Sequence, residues 1–219
     1  MKTLSTLILF FYIAVPLISK ADSPLTSTPF SNAYKDEKVV KNAIEKGMEK
    51  KTLKNLTSKK VSSLHKICII NALGWGKEMT YRNKFQDYLL SKRKGLTKDV
   101  FDYLIEVSDD PPEETAQTKL LTADDLICWG YLQALGDYFN PKKSFRAVFL
   151  AYKRDMDNMA YGTIFALVAA QSAMDANWCN VYKLGQKMIV EPEYKNNIMN
   201  EEGQSIILEY LGLYQQDCK

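Results

Sequence analysis

The chain has 219 residues, with 29 basic and 26 acidic side chains, a formal charge of +3, four cysteines and one histidine. That length gives one or two ordinary domains with a core of their own, and 11% aromatic residues beside only 10 glycines and 7 prolines exclude a disordered chain. A single histidine also excludes His-rich zinc sites and the H-E-x-x-H metalloprotease pattern.

The chain opens with Lys2, an apolar run from Leu7 to Ile18, and the small-x-small triplet Ser19, Lys20 and Ala21. This pattern predicts a cleaved secretory signal peptide over residues 1–21, because the apolar run is too short to span a bilayer. The protein is therefore expected to be periplasmic or secreted. Residues 22–34, rich in Ser, Thr and Pro, read as an extended lead-in outside the core.

From there the pattern is helical. Residues 35–108 form a basic region, with 17 basic and 9 acidic residues. A first helix is predicted over 34–51, with Val39, Val40, Ala43, Ile44 and Met48 on one face. A serine-capped second covers 62–76 and stops at Gly74 and Gly76. Two more follow over 80–95 and 96–108. The run "DDPPEE" at 109–114 breaks the chain, since paired prolines cannot continue a helix.

Beyond the break the balance turns acidic, with 16 acidic and 10 basic residues from 109 onward. Region 113–219 reads as helical hairpins packed on the basic region. Thr122 and Asp125 have the spacing of a capping box, opening a helix over 122–139. Helices over 142–155, 158–174, 177–190 and 200–218 complete the set. Residues 158–174 carry no charge but include Asn158, Thr163, Gln171 and Ser172, which suits the middle of a bundle better than a membrane. No stable membrane span is expected after signal removal. The fold class is all-α: a bundle or a short array of stacked hairpins, with eight to nine helices. Trp129–Gly130 and Tyr161–Gly162 stand 32 residues apart, near the period of tetratricopeptide-type repeats.

Catalytic chemistry finds little support. A nucleophile with a histidine base would have to use His65, which sits on the edge of a buried helix face. No glycine-rich loop cradles a phosphate, so no cofactor is expected. Paired carboxylates are the remaining route, through Asp109, Asp110, Asp124 and Asp125. The first two suit a turn before prolines. The others suit a helix N-terminus, where negative charge is favourable by about 0.3–1 kcal/mol. Cys128, Trp129, Tyr131, Leu132 and Leu135 then carry that helix into the core.

Four cysteines in an exported chain allow three pairings. Cys179 begins one helix and Cys218 ends another, so antiparallel packing would join them across a loop of about 40 residues, for about 3–4 kcal/mol. Cys68 and Cys128, in two apolar helices, either pair or stay buried thiols. The lysines Lys35, Lys38, Lys41, Lys46, Lys50, Lys51 and Lys54 are candidate contacts for an acidic protein surface or envelope polymer. Nucleic acid is not expected, since the lysine-rich stretch from Lys35 to Lys66 has no arginine.

The segment "CWGYLQALGD", Cys128 to Asp137, resembles the C-x-G-Y-[IL] helix of small periplasmic immunity proteins that neutralise type VI secretion effectors. The apolar final helix ending in Cys218 resembles theirs as well. The resemblance spans 128–218. The chain departs from it in lacking a proline shortly after Cys179 and in carrying a long N-terminal helical region. It implies a non-catalytic, disulfide-stapled helical protein that binds and blocks a toxin. The expected function is thus an exported protein-binding module. A carboxylate hydrolase acting on an envelope or extracellular polymer, and a secreted factor binding host proteins, are the alternatives. An exposed aromatic patch favours binding, and a deep cleft with two close buried acids favours hydrolysis.

Overall fold

The computed structural model describes residues 23–74, 78–108, 110–174 and 176–219. The expected signal peptide, Gly76 and Asp109 lie outside these residues. Among those described the chain is all-α. Ten α-helices follow in order: α1 (Lys38–Lys46), α2 (Lys50–Thr57), α3 (Ser63–Ala72), α4 (Glu78–Lys92), α5 (Asp99–Ile105), α6 (Ala123–Gly136), α7 (Lys142–Arg154), α8 (Met159–Ala173), α9 (Trp178–Gly185) and α10 (Glu201–Gly212). One π-helical turn, Gln186–Val190, continues α9.

The count exceeds eight to nine because the helix expected over 34–51 stops at Lys46 and a further, unexpected helix, α2, runs from Lys50 to Thr57. Gly47, at a φ of +68°, ends α1 in a conformation that a side chain would resist. Thr52 Oγ1 then donates to the Gly47 carbonyl at 2.7 Å, which holds the start of α2 against the turn.

Helix α6 is the centre. From Leu126 to Leu135 its residues are buried on every side, with Trp129 and Tyr131 among the largest fully buried side chains. A helix apolar all round needs neighbours all round. They are α2, α3, α4, α7 and α8. Helix α5 packs on α7, α7 on α8, and α8 on α9, so α6–α7 and α8–α9 stand as neighbouring hairpins. The Thr122–Asp125 capping box is present: Thr122 Oγ1 accepts from the Asp125 N–H at 3.0 Å, and Asp125 Oδ2 from the Thr122 N–H at 2.9 Å. Helices of the basic and acidic regions contribute to one buried cluster. No helix among the described residues is long and apolar enough to cross a membrane.

The segment before α1 departs from the expected lead-in. Leu25 and Phe30 have no exposed surface, and Phe30–Tyr34 forms a 3₁₀ turn packed on α3 and α10. Asn71 fixes it by accepting from the Ser31 N–H at 2.9 Å and donating to the Thr28 carbonyl at 3.1 Å. The Asn200 N–H donates to the Tyr34 hydroxyl at 2.7 Å, and Ser23 Oγ donates to Gln171. Turn-rich composition marked the backbone as irregular, but two large apolar residues anchor it all the same.

Cys179 and Cys218 form a disulfide with a Cα–Cα distance of 4.7 Å, beside Trp178 stacked on Tyr214. Cys68 and Cys128 do not pair; both are buried free thiols. Each lies inside a helix in the core and packs there as a small apolar side chain. Burial pushes both thiols up, Cys128 well above the ordinary range, so neither presents a thiolate.

A Cβ on Gly130 would lie 2.8 Å from Val148 Cγ1 and 3.0 Å from Ala147 Cβ, so Gly130→Ala should lower stability by about 1–3 kcal/mol in urea unfolding. Gly212→Ala meets nothing within 4 Å and should be neutral or stabilising by up to about 1 kcal/mol; equal losses would refute the close α6–α7 approach. Replacing Cys179 and Cys218 together by Ser should cost about 3–4 kcal/mol. The thiols of Cys68 and Cys128 should react with a thiol reagent only after denaturant is added, and rapid labelling of the native chain would contradict their burial.

Candidate functional site

The carboxylates singled out in the sequence lead to a polar hub inside the bundle. Asp124, in the first turn of α6, collects three donors. Ser63 Oγ and Tyr161 Oη donate to Oδ1 at 2.6 and 2.8 Å, and Lys66 Nζ reaches Oδ2 at 2.5 Å. The Lys66 side chain is 2% exposed, whereas that of Asp124 is 25% exposed. Burial and then the Asp124 charge push the Tyr161 phenol up, so it stays a donor. Asp125, fully buried, turns the other way to Arg93 Nη2 at 2.6 Å. The adjacent acids therefore serve separate ion pairs rather than one reaction centre.

The hub holds a serine three residues before a lysine on α3, but its geometry suits a clamp. The Ser63 hydroxyl donates to Asp124, and Lys66 Nζ points at the same carboxylate. Ser63 and Tyr161 are themselves buried. The sequence pointed to Asp124 and missed Ser63, Lys66 and Tyr161. Lys66 was legible in one respect: a lysine amid an apolar helix requires a counter-ion.

The other candidates lie on the surface. Lys35, Lys38, Lys41, Lys46, Lys50, Lys51 and Lys54 are all exposed, on and around α1 and α2. His65 is half-exposed: its Nδ1 lies 2.8 Å from Ser62 Oγ, and its Nε2 lies 3.9 Å from Glu37. Asp110 is exposed in the loop after α5.

A different surface has the shape of a binding site. Three hollows, of about 250, 320 and 510 Å³, adjoin along α7. The first two share Val107, Lys142 and Ser172, and the last two share Ser108, Pro112 and Arg146, so they form one trough. Phe139 and Val107 stand at its head with 76% and 59% exposure. Beside it the half-buried rings of Phe145 and Phe149 stack at 5.8 Å, and Phe165 of α8 lies 5.4 Å from both Phe145 and Tyr152. The wall opposite α7 is the loop after α5, tied by Arg146 Nε to the Glu106 carbonyl at 3.0 Å and by Arg154 to Glu114 at 2.7 Å. The Arg154 hydrogen bonds hold the Glu114 carboxyl below its usual range.

Sequence reasoning missed this trough, although α7 carried a signal. Phe145, Phe149 and Tyr152 form one apolar stripe, while Ala147, Val148, Leu150 and Ala151 form another that is buried. One helix with two apolar stripes has more than its own core contact requires.

The hub gives an ordered expectation. Asp124→Asn leaves the buried Lys66 ammonium without a counter-ion and should cost about 3 kcal/mol or more. Lys66→Met should cost less, under about 2 kcal/mol, because Asp124 reaches water and keeps two hydroxyl donors. Thermal and urea unfolding of both variants would decide, and a reversed order would contradict the clamp. No protein-family model, curated protein or solved structure matches the chain.

Proposed function

We propose that this chain is an exported, non-catalytic protein-binding module, of the kind that inhibits a secreted effector by covering it. The observation carrying this reading is the trough along α7, with half-buried rings beside it and exposed Phe139 and Val107 at its head. Interface centres are enriched in aromatic residues, and a joined apolar patch is the surface feature that marks a partner site. The engagement of Asp124 and Asp125 in separate ion pairs supports binding over carboxylate hydrolysis. The Cys179–Cys218 disulfide supports an oxidising compartment.

The test places a benzoylphenylalanine photo-crosslinker at Phe139 and at Phe149, and in separate variants at Lys41 and Lys54, in the full chain expressed in its own cells. The expected result is one discrete adduct that re-forms between the purified proteins. Phe139→Ala should weaken that complex by about 1–2 kcal/mol, with stability changed by no more than about 0.5 kcal/mol. If no position yields an adduct that re-forms, the binding-module reading fails.

A further inference from the structure

The geometry points to the kind of partner segment the trough receives: a short stretch with an apolar anchor and carboxylates beside it, seated at the head of α7. This inference rests on the protein-binding reading and adds the chemistry of the partner. The anchor position is set by Val107, Phe139 and Phe145, which line the two upper hollows. Among the described residues lining these hollows the charge is basic. Lys142 is exposed, lines both hollows, and has no ion pair among the described residues. Lys143 lies beside it, held 3.1 Å from Asp137. Both stand in the first turn of α7, where the unsatisfied N–H groups of a 13-residue helix add positive potential. The one acid among the described residues lining these two hollows, Glu106, is 3.5 Å from Arg146, whose guanidinium lies 4.4 Å from the Tyr103 ring.

The lower hollow differs. There Asp110 and Glu113 face Arg146 and Lys153, a balanced set that prefers neither sign. The preference for acid is therefore local to the head of the trough. From Pro141 to Lys153 the helix rises about 18 Å. An extended segment of about five or six residues covers that distance. An apolar residue desolvates the space between the rings, and an adjacent carboxylate meets Lys142 where water is partly excluded, which strengthens the pairing.

The experiment selects peptides from a phage-displayed random library on the oxidised full chain from residue 22, then measures the affinity of the enriched peptides by fluorescence anisotropy. Enriched sequences should carry Asp or Glu within a few residues of an aromatic or aliphatic anchor. Lys142→Glu should weaken them about tenfold, while Lys153→Glu should leave them nearly unchanged. Both lysines are exposed, so neither variant threatens the fold. Enrichment without acids, equal effects of the two variants, or no enrichment would overturn the proposal. Crosslinks from Lys41 or Lys54 alone would keep the binding-module reading while removing this site from it.

Discussion

The ammonium of Lys66 has one place to go. It lies within a helix whose neighbours are apolar, and a charge buried there is tolerable only beside an opposite charge with its remaining donors satisfied. Asp124 supplies that charge from the first turn of α6. The pair fixes the rotation of α3 against α6, and Tyr161, bonded to the same carboxylate, extends the constraint to α8. Apolar packing alone tolerates many rotations of one oily helix against another. This hub selects one, and the positions of α4 and α7 around α6 follow from it.

With α6 fixed and buried, function falls to its neighbours. Helix α7 gives one stripe to α6 and keeps a second stripe of rings along its outer edge. The loop after α5 is drawn to the same helix by Arg146 and Arg154, and this forms the second wall of the trough. On the proposed reading, binding surface and scaffold share a helix, so the rings are held by a rigid element and would not have to be ordered when a partner arrives.

Much of the fold was legible because it rests on local rules. The Thr122–Asp125 box, the stop at Gly74, the break at the prolines and the burial of α6 and α8 all follow from a few adjacent residues. The Cys179–Cys218 staple was legible from Cys179 at the start of its helix and Cys218 shortly after another, although Cys218 lies beyond α10 and not in it. What could not be read depends on distant partners. Nothing near Asp124 announces Lys66, which is 58 residues away, and nothing in the Ser- and Pro-rich run at 22–34 shows that Leu25 and Phe30 have sockets. The trough was hidden because half-buried and fully buried aromatics look alike in one dimension. The seven lysines of the basic region attracted attention by number, while Lys142, which lines the two upper hollows, stands among residues of ordinary composition.

The way the first described residues are seated governs the order in which the molecule can be completed. The surfaces holding residues 23–34 come from α3, from the end of α8 and from α10, the last helix. During synthesis α3 follows these residues closely, and their docking on Asn71 spans about 40 residues. Their bonds to Gln171 and Asn200 close loops of 148 and 166 residues, a slower entropic step that completes the seat. Residues 23–34 and α10 thus behave as a clasp. Loss of either segment would open the same seam, and a folding intermediate lacking only the contact with α10 would expose the face of α10 that receives Phe30–Tyr34.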